Sequence, residues 1–164
     1  MVRYMLIEYS RNDALIYAKT WAYDRNPKFY DFSNIGGNCT NFVSQCLLAG
    51  NMPMNFSYPL GWFYKNINSR SPSFSSAKYL FNFLTNGFVR RGPIAAETHL
   101  SELKIGDIIQ LSFDGNNYTH SLIVVEENEL DPLVAANSDD TLGKPLSGYN
   151  FESCRALNIL GAYK

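Results

Sequence analysis

The chain has 164 residues, of which 46% are apolar, 18% charged and 15% aromatic. That is enough material to bury a core without disulfide staples, and it excludes the disordered and fibrous classes. Fourteen Lys and Arg against fifteen Asp and Glu leave a formal charge of -1, and the longest basic stretch is Arg90-Arg91, so the electrostatic footprint of a nucleic-acid binder is missing.

No apolar run approaches the roughly 20 residues that cross a bilayer. The opening stretch Met1 to Glu8 has one basic residue, and Glu8 ends its apolar run before any small-residue cleavage site. A soluble, cytoplasmic protein with neither a membrane nor a nucleic-acid partner is expected. Cys39, Cys46 and Cys154 are an odd number, too few for a disulfide scaffold, and lack the spacing or His pairing of a zinc site. Free thiols are therefore expected, with no metal and no cofactor. With no repeat, linker or low-complexity tract, residues 1–164 are expected to form one domain.

The first helix is expected over roughly Ser10 to Asp24, where Ala14, Tyr17, Ala18 and Trp21 fall at three- and four-residue spacings and Asn26-Pro27 supplies the stop. A second begins near Cys39, with Phe42, Val43, Cys46 and Leu47 on one stripe and Gly50 at its end. A third runs from about Ser73 to Asn86, with Ala77, Leu80, Phe81 and Leu84 on one side. The period then changes. Ile108 to Phe113 reads as a strand, Asp114-Gly115-Asn116-Asn117 as a turn, and His120 to Val125 as the returning strand. Leu133 to Ala136 is a third strand, and Ala156 to Tyr163 a fourth. Helices followed by an antiparallel meander make an α+β layout.

Gly36-Gly37-Asn38-Cys39-Thr40-Asn41-Phe42 carries the chemistry. Two glycines let the chain turn tightly onto a helix that starts with a cysteine. There the helix dipole and free N–H groups favour the thiolate and could hold an oxyanion. The competing assignment makes Cys39 a small buried hydrophobe on the stripe of Phe42, Val43 and Cys46. Cys46 lies deeper in the helix as packing, and Cys154 has no base within local reach.

A nucleophilic cysteine needs a base, and the chain has two histidines. His99 sits in a polar stretch and reads as an exposed loop residue. His120 opens a strand after a hairpin, where a rigid element can aim its ring at a helix start. A partner that fixes its tautomer is a carboxylate or amide; Asn137 comes directly off the next strand, with Asp139 as runner-up. Ordinary turn chemistry would account for both equally.

These residues resemble a known family. Gly36 to Leu47, followed by Ala49-Gly50 and Met52-Pro53-Met54, is similar to the nucleophile motif of the bacterial putative amidase domain family, a papain-like group related to the CHAP and NlpC/P60 peptidases. The likeness runs upstream through Tyr9, Arg11, Ala14, Tyr17-Ala18, Trp21-Ala22 and Asn26-Pro27, and downstream through Trp62-Phe63-Tyr64, Gly106-Asp107 and His120-Ser121. It implies a papain-like catalytic domain with N-terminal helices packed on a C-terminal antiparallel β-sheet. It also implies Cys39 as nucleophile, His120 as general base and Asn137 as the orienting residue. The Cys39 backbone N–H would form the oxyanion hole, joined by Tyr30 because Phe29 stands where the family commonly has tyrosine. Asn38 stands for the usual Asp, Phe74 for a usual Trp, and Asn137-Ser138 for a usual His-Thr.

The reaction so implied is acyl transfer through a thioester. The first candidate is an amidase or peptidase cleaving peptide or peptidoglycan-type amide bonds. The second passes an acyl group from a thioester donor, such as an acyl carrier protein, to an amine. Water exclusion by aromatics near the presumed cleft, including Trp62, Phe63, Tyr64 and Tyr58, would serve it, and the substrate cleft is expected at Asn38, Trp62 and Tyr64. The third is a binding module with a dead cleft, against which the retention of both Cys39 and His120 argues.

Overall fold

The structure is a computed structural model, and it describes residues 6–88 and 91–164. Residues 1–5 and Arg90 of the basic pair lie outside the described residues.

Strand β1 (Leu6–Ile7) leads into helix α1 (Arg11–Trp21), whose first turn is capped by the Ser10 hydroxyl accepting from the Asp13 N–H. Helix α2 (Cys39–Ala49) ends at Gly50. A ribbon of β2 (Tyr64–Asn66) and β3 (Ser69–Arg70) precedes α3 (Pro72–Ser75) and α4 (Ala77–Leu84). The sequence suggests one helix over Ser73 to Asn86; the chain breaks it at Ser76, which is extended at φ -117 and ψ 128. Six strands follow: β4 (Gly92–Thr98), β5 (Ile108–Ser112), β6 (Tyr118–Glu126), β7 (Leu133–Ala136), β8 (Thr141–Pro145) and β9 (Ser153–Tyr163). The fold is α+β, and the described residues contain no helix long and apolar enough to cross a membrane.

The antiparallel sheet has the order β1-β9-β5-β6-β7-β8, with β4 also on β9. The final strand is thus not the end of a meander. It returns to the middle, pairing β5 from Ser153 to Leu157 and β4 from Ala156 to Tyr163. Neighbouring residues on each strand feed opposite faces. Ile108, Ile123, Ala135 and Leu157 join the helix-side core with Phe42, Val43, Leu47 and Leu80. Ile109, Leu122, Val124, Val134 and Ala136 form a second cluster behind the sheet, closed by Leu103 and Leu146. Burial on both faces explains why these strands read as continuous apolar runs.

Two features position the site. The fully buried carboxylate of Asp107 ties α1 to the sheet. It accepts from Arg11 Nη1 at 2.7 Å, Asn158 Nδ2 at 2.8 Å, and the Ile159 and Lys104 N–H groups at 2.9 Å each. The second feature is a free strand edge. Strand β7 pairs with β6 only from Ile123 onward, so β6 between Thr119 and Ser121 has no strand on that side. The start of α2 docks there.

Candidate functional site

Gly36 and Gly37 have φ of +85 and +101, a left-handed turn that other residues adopt at a cost, and they deliver Asn38 and Cys39 to the head of α2. The Asn38 side chain makes no capping bond. Its Oδ1 instead accepts from Phe32 N–H at 3.0 Å and Asn41 Nδ2 at 2.9 Å, so the Asn38 side chain leaves the first-turn N–H groups of α2 uncapped.

Cys39 is 6% exposed and lines a cleft of about 740 Å³. Its Sγ lies 3.8 Å from the Thr119 carbonyl and 3.9 Å from Thr40 Oγ1. Burial pushes the thiol up. The neighbouring His120 ring first, then the Ser121 backbone and the Thr40 hydroxyl, outweigh it, and the net displacement is below the ordinary thiol value. Cys46 is fully buried in the core and burial holds its thiol well up; burial also raises half-buried Cys154. One cysteine of three has an environment that favours the nucleophilic form. His99 is exposed at the end of β4.

Behind Cys39 runs a buried polar chain. Thr40 Oγ1 meets Ser121 Oγ at 2.8 Å, Gln110 Nε2 donates to that Ser121 oxygen at 3.1 Å, and Gln110 Oε1 accepts from Arg155 Nε at 2.9 Å and Nη2 at 2.6 Å. No local signal in the sequence joins these residues; the register Gln110↔Ser121 and Gln110↔Arg155 does.

Asn137, expected at the His120 ring, is turned elsewhere. It shares a face with Ala135 on the helix side, whereas His120 shares one with Leu122 and Val124 behind the sheet. Its Oδ1 accepts from Asn38 Nδ2 at 2.6 Å, and its Nδ2 faces the Trp21, Ala22 and Asp24 carbonyls at 3.0 to 3.3 Å. Ser138 Oγ accepts from the Asn38 N–H at 2.7 Å. Asn137 and Ser138 thus clamp the elbow that carries the cysteine. The rings beside His120 are Tyr149, centroids 5.9 Å apart, and Phe113 at 6.4 Å. Sequence reasoning missed Tyr149 because it lies in a polar loop. Its hydroxyl is buried without a hydrogen-bond partner among the described residues, and burial, together with the charges of Asp139 and Cys39, pushes it up to about 12. Asp139 itself is exposed, with φ 53.

Three further expectations are corrected. Tyr30 is 41% exposed and lines a small pocket with Asn38, Asn137 and Asp24, not the Cys39 cleft. Its N–H donates to Tyr64 Oη at 2.8 Å and its carbonyl accepts from Asn41, so it braces the loop. Trp62 is fully buried, donating from Nε1 to Ser44 Oγ at 3.1 Å, and Tyr64 packs on Phe29 and Phe74. Both are core residues, not cleft walls. Asn38 is likewise buried and absent from the cleft lining. Among the described residues no cluster of three His, Cys, Asp or Glu side chains could hold a metal ion.

Comparison with known proteins matches residues 8–158 to the family model described as "Putative amidase domain". The chain is also 35% identical over 139 residues to the "Uncharacterized protein YhbB" of Bacillus subtilis (strain 168), covering 82% of this chain and 43% of that relative. It therefore spans less than half the length of that curated protein. No solved structure matches the chain significantly. With the family match extending from just before α1 into the middle of β9, including the Cys39 elbow and His120, the chain belongs to the putative amidase domain family.

Proposed function

We propose that the chain is a cysteine amidase, an acyl-transfer enzyme with Cys39 as nucleophile and His120 as general base, cleaving peptide or peptidoglycan-type amide bonds. The observation that carries this is the Cys39 thiol at the head of α2, beside an open cleft and drawn below its ordinary value by the neighbouring His120 ring. A helix start bearing the thiol, with a histidine on a neighbouring antiparallel strand, supports the papain-like reading that the resemblance implies.

The steps follow from the groups present. Cys39 Sγ, its proton held by His120, attacks the carbonyl carbon, and the oxyanion is met by the Cys39 N–H at the uncapped helix start. The C–N bond breaks as the His120 imidazolium gives its proton to the leaving amine, leaving a thioester. Water, deprotonated by His120, attacks the thioester; the acid leaves and Sγ recovers its proton. In this scheme Asn137 and Ser138 hold the elbow, and the Tyr149 ring packs beside the imidazole. The acyltransferase alternative calls for aromatics that exclude water; Trp62, Phe63 and Tyr64 are buried and Tyr58 is exposed, none of them lining the Cys39 cleft, and hydrolysis is the reading we retain.

Intact-mass measurement tests it. Wild type and Cys39→Ala are incubated with muropeptides, short peptides and acyl thioesters, with and without amines. An adduct on wild type alone, followed by release of free acid, supports the amidase. Turnover only with an amine favours the transferase, and no thiol-dependent adduct with any donor favours a binding module.

A further inference from the structure

The cleft beside Cys39 is lined by three cationic side chains, Arg70, Lys78 and Arg155, and by no acidic one among the described residues. In a chain of formal charge -1 this is a local concentration of one sign. None of the three forms an ion pair among the described residues. Arg155 is held flat, its guanidinium 3.5 Å from the Phe81 ring centroid and 4.1 Å from that of Tyr118, both of which line the cleft. Its Nε and Nη2 share the single oxygen Gln110 Oε1, and Nη1 has no hydrogen-bond partner among the described residues. The acid whose charge reaches it is Glu97, on the neighbouring β4. Arg70 lies over Phe32 at 4.5 Å and donates from Nη1 to Ser75 Oγ at 2.9 Å, while its Nε is buried without a partner. Pre-oriented guanidinium groups with N–H groups left over are ready to take an anion, and their fork matches a carboxylate.

We propose that the cleft selects substrates whose acyl part carries a carboxylate, with Arg155 as the anchor and Arg70 and Lys78 completing the anion site. This rests on the assignment of Cys39 as the nucleophile at the same cleft. The polar chain from Arg155 through Gln110, Ser121 and Thr40 to Cys39 ties the anchor rigidly to the reacting sulfur, so an anion on Arg155 fixes where the carbonyl lies.

Two small alkylating reagents of nearly equal size test this: iodoacetate, which carries a carboxylate, and iodoacetamide, which does not. Second-order rates at Cys39 are read by peptide mass mapping in wild type, Arg155→Gln, and the double variant of Arg70→Gln with Lys78→Gln. The ratio of iodoacetate to iodoacetamide rates should fall in Arg155→Gln, and should fall on the order of fivefold in the double variant, the size of two unit charges acting across a water-filled cleft. The wild-type ratio should also fall with added salt. Arg70→Lys, which keeps the charge, should restore most of it. An unchanged ratio in all variants, with the iodoacetamide rate intact, overturns the anion site alone. If neither reagent modifies Cys39 in wild type, the nucleophile assignment fails and the anion site falls with it. The iodoacetamide rate also reports folding, and exposed Lys78 can be removed singly if Arg70→Gln does not fold.

Discussion

Replacing Asn137 with Ala separates two roles for this residue. The side chain is 1% exposed; its Oδ1 takes a 2.6 Å bond from Asn38, and its Nδ2 can serve two of three carbonyls at the end of α1 at a time. Truncation leaves the buried Asn38 Nδ2 and two carbonyls unpaired. At about 1 kcal/mol per lost bond, with a larger share for the isolated amide, the loss is about 2–4 kcal/mol, a large part of the stability of a domain this size. Urea unfolding should show this as a lower midpoint at constant slope, while the pH midpoint of Cys39 alkylation stays near wild type, because His120 lies on the other face of the sheet. Unfolding changed by less than about 0.5 kcal/mol, together with an alkylation midpoint moved upward, would refute the clamp and restore Asn137 as the residue that orients the base.

Other perturbations test the scaffold. Asp107→Ala strips four donors of their acceptor, including Arg11 Nη1, and should cost about 3 kcal/mol or more in the same unfolding assay. Gly106→Ala places a Cβ 2.9 Å from Tyr9 Oη at φ +84, and should lose about 1–3 kcal/mol by clash and left-handed strain. Phe74→Ala empties a fully buried position against Phe29, Trp62 and Tyr64 and should cost about 3–5 kcal/mol, with the cleft-based rate ratios preserved in the folded fraction.

What the sequence discloses is mainly local. The start of α2 follows from paired glycines before an apolar stripe, and the β5–β6 hairpin from Asp114-Gly115 between β-branched runs; both elements form with boundaries close to those expected. Strand β4 escapes because Gly92-Pro93 interrupts it and a bulge after Ile94 spoils its alternation. The place of β9 depends on pairing with residues about 45 positions away, which no window of sequence carries. Asn137 illustrates the same limit at the site. The apolar run identifies the strand, but the pairing of Ile123 with Ala135 decides which face follows it. Trp62 and Tyr64 show another, since an aromatic cluster reads alike whether it lines a cleft or fills a core.

The activated thiol is tested most directly by the rate of Cys39 alkylation by iodoacetamide against pH, in wild type and His120→Ala, with Cys46 and Cys154 read in the same digest. Thiolate forms above the thiol's pKa, and His120 is the largest group favouring it. Cys39 should therefore react well before the other two near neutral pH, and its midpoint should move upward when His120 is removed. Equal slow modification of all three cysteines, or a Cys39 profile indifferent to the loss of His120, would contradict the account.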